Sequence, residues 1–382
     1  MNVIGSSFWF GRHVSPIAVD FGHRVVRMLQ LARYRSHSTL IRYAQRELPV
    51  GVDDPGHHDR LCAEAARDML AGENFIGRDA VTSLDWEDIT IRSLRLPAMP
   101  AAELKDAVQR EAAERLGLRP DTTEIRFIVA GDVRQGTTIG QEIIVLAAGR
   151  PAIESRVDML AALGLRPTGL DAAPCAVFRS FERFLRRDED RGKAAAFVEV
   201  GYTASHILVS RGGDLVFIKS VPVGGRSFDE LVSRHTELSL SDAATLRIRL
   251  HRYHAALLTG QTRSRNSTEA VSDSMRRAMI DAMRPALDHL GTEIAQGIRY
   301  SAATFRGPRV ESVTVVGGEA CNSDMLQLLS DQIDLPFEVG KPLRYIAIEP
   351  ALQGSDRRTG QPEWATVLGL ALKSVKASVV KS

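Results

Sequence analysis

The chain has 382 residues, 44% of them hydrophobic, so it is long enough for two or more domains with separate cores. Its formal net charge of +2 gives no support to a nucleic-acid-binding function. Three widely spaced cysteines fit neither a disulfide framework nor a paired metal-ligand pattern, and no apolar run is long enough to span a membrane. These features predict a cytoplasmic protein without a transmembrane segment.

A β-hairpin and a helix are the first predicted elements. The apolar run at 17–19 ends at Asp20, and a Gly-containing turn separates it from a second apolar run at 25–31, which is typical of a hairpin. Apolar residues at helical spacing predict a helix at about 56–72. The adjacent pair His57 and His58 is interpreted as part of a solvated polar loop rather than as a metal site.

A small βαββ unit with one further helix is predicted in residues 89–166. Alternating apolar residues indicate a strand from Ile89 that Pro97 ends. A helix is predicted at 99–117, and two strands at 124–133 and 142–149 are joined by a polar turn. The unit is short compared with the whole chain, and its charged residues are expected to face solvent.

The second half of the chain repeats the plan of the first. A strand that ends near an acidic residue, a Gly turn and a second strand occur at 194–210, as they do at 17–31, which predicts two halves of similar fold. Residues 226–305 have a helical pattern, in which Pro285 predicts a helix start or a kink. A buried strand at 312–318 ends in paired glycines, and helices are expected after it.

Three of the predicted turns have features of phosphate binding: DFGHRVVR at 20–27, VEVGYTAS at 198–205 and VVGGEA at 315–320. A glycine turn presents consecutive amides to phosphate oxygens, and an acid at a strand end, such as Asp20, can hold a water of a magnesium ion. Each turn alone is usually only a hairpin, in which such an acid caps its own turn. All three, in this order, resemble the actin, sugar kinase and heat-shock ATPase superfamily.

A narrower resemblance is to the PilM family of type IV pilus systems. It is carried by ITIRSLRLPAMPAAELKDAVQREA and by EIIVLAAGRPAIESRVDMLAALGLRPTGLDAAPCAVFRSF, and it extends over about 16–373. The resemblance implies an α/β, actin-like fold with duplicated ribonuclease H-like domains and a small βαββ-type insertion in the first. The implied boundaries are 1–88 and 167–192 for the first domain, 89–166 for the insertion, 193–245 and 309–382 for the second domain, whose last helix is free to return to the first, and 246–308 for a helical subdomain.

The resemblance also implies a site for ATP and magnesium. Its nucleotide-binding residues would be Asp20, Gly22, His23, Arg24, Gly201, Thr203, Ser205, Gly225, Arg247, Gly317, Gly318 and Glu319. Asp20 and Glu199 would hold magnesium through water. No catalytic residue is assigned, and Arg27 is interpreted as a solvated strand residue.

Several departures from the family pattern affect this site. His23 and Arg24 replace the usual Ser or Thr with larger side chains that can carry a positive charge, and Glu199 replaces the usual Asp. Ala244 removes an acidic contact to the sugar. Arg247 replaces a lysine, and Glu319 replaces a third glycine. ATP binding is still expected, whereas hydrolysis is expected to be weak or absent, and a nucleotide-free relative is an open alternative.

The family resemblance implies a scaffold that captures the N-terminal tail of a PilN-like inner-membrane protein in a groove between the first domain and the insertion. It also implies contact with pilus motor ATPases and a place at the inner membrane through the protein partner, and it leaves homo-oligomers open. Leu94, Leu104 and Val108 are candidate groove residues, although each is also interpretable as core. The alternatives are an enzyme, such as a sugar or acetate kinase or a polyphosphatase, and a filament-forming FtsA-like protein.

Overall fold

The structure is a computed structural model that describes residues 13–34, 37–51, 54–135, 138–186, 192–258, 271–306, 308–349 and 361–377. Its strands are β1 (His13–Val14), β2 (Ile17–Phe21), β3 (Val25–Tyr34), β4 (His37–Glu47), β5 (Asp79–Leu84), β6 (Ile89–Pro97), β7 (Thr123–Gln135), β8 (Thr138–Gly149), β9 (Arg166–Ala172), β10 (Ala194–Val200), β11 (Ser205–Arg211), β12 (Asp214–Val221), β13 (Val310–Val316), β14 (Phe337–Val339) and β15 (Ala347–Ile348). Its helices are α1 (Pro55–Gly72), α2 (Ala101–Leu116), α3 (Arg150–Ala162), α4 (Ala173–Glu182), α5 (Gly225–Thr236), α6 (Leu240–Leu258), α7 (Asp273–Phe305), α8 (Ser323–Ile333) and α9 (Ala365–Ala377), with short 3₁₀ turns at Trp86–Asp88 and Pro362–Trp364.

The first domain is built on a seven-stranded sheet with the order β15-β4-β3-β2-β5-β9, to which β1 adds by pairing with β3. Strand β2 is apolar on both faces because helices cover both sides of the sheet. Its Ile17 and Val19 pack with Leu160 of α3, and Ala18 packs with Leu368 of α9. The predicted hairpin of β2 and β3 is confirmed, with Asp20 opposite Arg27.

Two segments that the predicted boundaries assign to other domains belong with this first sheet in the structure. Helix α3 was assigned to the insertion, but its Leu160 is fully buried in the core of the first sheet. Strand β15 was assigned to the second domain, but it pairs with β4. Helix α9 also returns to the first sheet, where it packs on α4, which is the option that the prediction left open.

The insertion forms a three-stranded sheet with the order β6-β8-β7, covered on one face by α2. Leu94, Leu104 and Val108 lie in the core between this sheet and α2, each at most 5% exposed. They therefore do not line an open groove, and the interpretation of them as core residues describes their positions. A hydrogen bond from the Tyr300 hydroxyl of α7 to the Glu142 carboxylate, 2.5 Å long, ties this insertion to the second domain.

The second domain has a five-stranded sheet with the order β12-β11-β10-β13-β14, packed against helices α4 to α8. The turn after β10 and the turn after β13 lie side by side, because those two strands are parallel neighbours. Pro285 lies inside the 33-residue helix α7, so of the two options predicted for this proline, a helix start or a kink, the helix start is wrong. Within the described ranges, none of the helices combines the length and the apolar composition that crossing a bilayer requires.

Candidate functional site

The three glycine turns converge on one cleft between the two sheets. Asp20 at the end of β2, Glu199 near the end of β10 and the Gly317–Gly318 turn after β13 all line it. The cavity at this point measures about 180 Å³. Gly22, His23, Arg24, Gly201 and Thr203 complete its lining from the two hairpin turns.

Close backbone approach requires glycine at these turns. A Cβ atom at Gly22 would lie 2.7 Å from the carbonyl oxygen of Val25, and one at Gly201 would lie 2.8 Å from that of Ala204. Gly317 has φ +93°, and a Cβ there would lie 2.4 Å from the carbonyl oxygen of Val200. The turns are therefore tight enough to leave main-chain groups at the cleft surface.

Two acidic side chains are held in this cleft against the cost of their burial. Burial raises the pKa of Asp20 to about 6 and the pKa of Glu199 to about 7. The Thr366 hydroxyl donates a hydrogen bond of 2.5 Å to Oε1 of Glu199, while the buried Oε2 has no partner among the described residues. A cation placed between these groups would favour their charged forms.

Arg27 is a cleft residue, and its interpretation as a solvated strand residue is wrong. It lies opposite Asp20 in the β2–β3 pairing and lines the cleft beside Glu199. Burial lowers its pKa, against the opposing effect of the nearby carboxylates. Its buried Nε has no hydrogen-bond partner in the described part of the chain.

Arg24 crosses the cleft from the first domain to the second. Its guanidinium carbon lies 5.5 Å from the centre of the Tyr202 ring, which belongs to the turn after β10. Such a stacked contact contributes about 0.5–1 kcal/mol at an exposed site. The buried Nη1 of Arg24, like Nε of Arg27, has no partner among the described residues.

The His23 side chain lines the cleft but also packs against another part of the chain. Its ring stacks on His58 with ring centres 4.7 Å apart. His58 is buried in α1, which begins at Pro55, so the prediction of a solvated histidine pair in a polar loop is wrong for His58, while His57 is exposed. Burial lowers the pKa of His23, which makes it a neutral side chain at neutral pH.

The other end of the cleft is bordered by an internal ion cluster around Arg247. Its Nε donates to Asp229 at 2.7 Å, and its Nη2 donates to Glu319 at 2.7 Å and to the carbonyl oxygen of Gly225 at 3.3 Å. Its Nη1 donates to Glu319 at 3.3 Å and contacts the Met283 sulfur at 3.8 Å. Burial would lower the pKa of Arg247, but the two carboxylates outweigh it and raise the pKa.

Two of the predicted phosphate-binding residues have structural contacts instead. The Ser205 hydroxyl is fully buried and donates to the carbonyl oxygen of Val223 at 2.7 Å. Gly225 is buried at the start of α5, where a Cβ would lie 2.8 Å from Oε1 of Glu319. Neither residue is among those that line the two cavities of the cleft.

Several cleft residues were not predicted from the sequence, among them Tyr202, Glu363 and Thr366. Tyr202 lies inside the second glycine turn and would have been found by treating every residue of that turn as a candidate. Glu363 and Thr366 come from the last 3₁₀ turn and α9, which return to the cleft from the far end of the chain. No local signal in the sequence indicates that return.

The fit of this cleft to a polyphosphate and a cation follows from its unsatisfied groups. Buried donors of Arg24 and Arg27 and a buried acceptor of Glu199 lack partners in the described residues, and such groups are costly unless a ligand or water meets them. The arginine donors suit phosphate oxygens, and the acids suit a hydrated divalent cation. The residues that are present fit both groups.

A second, larger cavity lies between the first domain and the insertion. This subdomain groove measures about 630 Å³. Phe127, Ile128 and Leu146 of the insertion form one wall, and Leu170 of β9 and Ile153 of α3 lie on the other side. β7 and β9, which both border the groove, are edge strands of their sheets in the described structure.

One end of the subdomain groove carries a compact group of charges. Asp171 accepts a hydrogen bond of 2.7 Å from Arg179 and lies 3.3 Å from the ammonium group of Lys373. Lys373 also donates to the carbonyl oxygen of Leu170 at 2.9 Å, so it occupies one acceptor of the β9 edge. The groove is therefore apolar in the middle and polar at this end.

Comparisons with known proteins agree with the arrangement of sheets and cleft. The chain is similar to a solved structure described as the PilM-PilN type IV pilus biogenesis complex, with 22% identity, a TM-score of 0.74 and coverage of 94% of this chain and 98% of that one. It is also similar to the ethanolamine utilization protein EutJ from Carboxydothermus hydrogenoformans, with 14% identity, a TM-score of 0.52 and coverage of 94% and 89%. These likenesses confirm the predicted α/β, actin-like fold.

A sequence model of one family provides the identification. The model for the type IV pilus assembly protein PilM matches residues 18–253. That match covers all but the first residue of the β2–β3 hairpin, and it includes the insertion, the second glycine turn and most of α6. Because it covers more than half of the chain, the chain belongs to the PilM family of type IV pilus assembly proteins.

Proposed function

We propose that this chain is an actin-like scaffold of a type IV pilus assembly complex and that it holds the N-terminal tail of a PilN-like inner-membrane protein in the subdomain groove. The observation that carries the proposal is the 630 Å³ cavity between the insertion and the first domain. A tail held there would keep the chain peripheral to the cytoplasmic side of the inner membrane. Contact with pilus motor ATPases belongs to the same proposal.

The walls of the groove suit an extended peptide. Two edge strands, β7 and β9, offer main-chain groups with which an added strand can pair. Phe127, Leu146 and Ile153 offer apolar surface to alternate side chains of such a peptide. This combination gives affinity through the backbone and specificity through the side chains.

Binding of a synthetic peptide tests the proposal. The peptide is the N-terminal tail of the PilN-like protein encoded in the same genome, and fluorescence anisotropy measures its affinity. Ile153→Glu places a charge against the apolar wall, so we expect at least a tenfold loss of affinity, about 1.4 kcal/mol. Ile139→Glu is the control for the same kind of substitution, because Ile139 of the insertion is 48% exposed and does not line the groove.

Two outcomes would contradict the proposal. The first is an unmodified chain that does not bind the peptide at all. The second is an equal loss of affinity in both variants, which would mean that the introduced charge acts without regard to the groove. Circular dichroism of each variant establishes that it is folded.

The alternative functions receive less support. The family match does not favour a kinase, a polyphosphatase or an FtsA-like protein. The described residues of the small insertion form its own core and one wall of the subdomain groove. They do not direct acidic groups at the cleft, as the insertion of such an enzyme would. Helix α9 is buried in the first domain rather than free to bind a membrane.

We also propose that the cleft binds ATP with magnesium. Arg24, Arg27 and the main-chain groups of the turns at Gly22 and Gly201 would hold the phosphates. Asp20 and Glu199 would hold the cation through water. The support for this proposal is the set of buried donors and acceptors that have no partner within the described residues.

A further inference from the structure

The nucleoside end of the cleft has a cavity of its own. It measures about 310 Å³ and shares Arg24, Tyr202 and Gly318 with the smaller cavity between the glycine turns. A ligand with phosphates between the turns would therefore extend into this space. Helix α6 of the helical subdomain forms one side of it, with Arg247, Ile248 and His251 among its lining residues.

Arg247 has no donor left for a ligand. A guanidinium carries five N–H groups. Those of Arg247 have five recorded contacts: one with Asp229, two with Glu319, one with the Gly225 carbonyl and one with the Met283 sulfur. Recruiting one of the three donors that meet Asp229 and Glu319 to a sugar would leave a buried carboxylate partly unpaired, which is costly.

His251 has the property that Arg247 lacks. It follows Arg247 by four residues, so its side chain lies one helical turn along the same face of α6. Its Nδ1 is buried and has no hydrogen-bond partner among the described residues. Burial lowers the pKa of this histidine, so the ring is neutral at neutral pH and offers one N–H donor and one acceptor.

We propose that His251, rather than Arg247, hydrogen-bonds the nucleoside part of a bound purine nucleotide in the 310 Å³ cavity. This inference rests on the proposed binding of ATP in the same cleft. A neutral imidazole is suited to a ribose hydroxyl, which can donate or accept a hydrogen bond, or to a purine ring nitrogen, which accepts one from its N–H. Arg247 then has a structural role, in which it holds α6 against α5 and the turn after β13.

Two ligands separate nucleoside recognition from phosphate recognition. MgATP carries both parts, whereas magnesium tripolyphosphate carries only the phosphates. Isothermal titration calorimetry gives their dissociation constants for the unmodified chain, His251→Ala and His251→Gln. His289→Ala is the control, because it removes an exposed imidazole from α7.

We expect His251→Ala to weaken MgATP binding about tenfold, the effect of losing one buried hydrogen bond. It should leave the affinity for magnesium tripolyphosphate within about twofold. His251→Gln should recover part of the loss because an amide has a donor and an acceptor. The control should bind both ligands like the unmodified chain.

The possible failures are distinguishable. If the unmodified chain binds neither ligand, both the proposed ATP site and this inference are overturned. If it binds MgATP and His251→Ala binds it equally well, only the assignment of His251 is overturned. An equal loss for both ligands also overturns that assignment, since it would show an effect on the whole cleft rather than on the nucleoside.

Discussion

Two buried arginines on opposite sides of the cleft behave differently. Arg247 is surrounded by Asp229, Glu319 and the Gly225 carbonyl, so its hydrogen-bonding capacity is met inside the second domain. Arg27 lies among acidic residues, yet its Nε has no hydrogen-bond partner in the described structure. Both residues are arginines with buried nitrogen atoms, but they differ in how far hydrogen bonds within the chain satisfy those atoms.

This difference indicates which charges belong to the fold and which point to a ligand. A buried charge with a complete set of internal partners stabilises one arrangement of the elements around it and leaves nothing for binding. A buried charge with an unmet donor is costly in the free protein, and that cost falls when a ligand supplies the acceptor. By this criterion Arg27 points to a ligand, whereas Arg247 belongs to the fold.

The largest expected effect is the loss of the Arg247 cluster. Arg247→Met leaves Asp229 and Glu319 buried without their cation, so we expect the free energy of unfolding to fall by about 3–5 kcal/mol. Chemical denaturation followed by circular dichroism measures it. Arg27→Met is the comparison variant and should cost clearly less, because its Nε makes no hydrogen bond. Equal costs for the two variants would remove the distinction between the two arginines.

In the absence of divalent cations, a substitution of Asp20 is expected to increase the stability of the protein. Its pKa is raised from 3.8 to about 6, so its contribution to stability is complete below about pH 4 and is lost as the pH rises through 6. At about pH 8, the free energy of unfolding of Asp20→Asn should therefore exceed that of the unmodified chain by about 1–2 kcal/mol. The gain should disappear near pH 4. A variant that is less stable at pH 8 would contradict this expectation.

The smallest of these effects is expected at Thr366. Thr366→Val removes the hydrogen bond from the hydroxyl to Glu199 and keeps the shape of the side chain. The free energy of unfolding should fall by about 1 kcal/mol. Thr366→Ser keeps the hydroxyl and is the matched control, and denaturant midpoints of the three proteins provide the comparison. A midpoint for the Val variant at or above that of the unmodified chain would show that this hydrogen bond does not stabilise the folded protein.

Much of the fold could be predicted because its elements carry local patterns. The β2–β3 hairpin, the strands of the insertion and β10–β11 all show alternating or continuous apolar runs bounded by turn residues. Strand β4 was missed because its stretch HSTLIRYAQRE mixes polar and apolar residues without regular alternation. Helix α3 was assigned to the insertion rather than to the first domain because its contact with the first sheet depends on tertiary packing.

The candidate site was predictable only as far as its turns. Glycine positions follow from turn chemistry, and so the convergence of Asp20, Glu199 and Gly317 could be expected. The role of Arg247 depends on Glu319, which lies 72 residues further along the chain. Arg27 could have been found from the hairpin itself, since the short turn at 22–24 places it opposite Asp20.

The hydrogen bond between Tyr300 and Glu142 connects the insertion, which borders the subdomain groove, to the second domain, which borders the cleft. While this bond holds, a rotation of the second domain has to carry the insertion along and turn it against the first domain. A rotation that opened the cleft would in that case also change the width of the subdomain groove. A peptide bound in the groove would resist that rotation. A ligand of the cleft that favours one degree of opening would then change the affinity for the peptide, and the peptide would change the affinity for that ligand by the same factor.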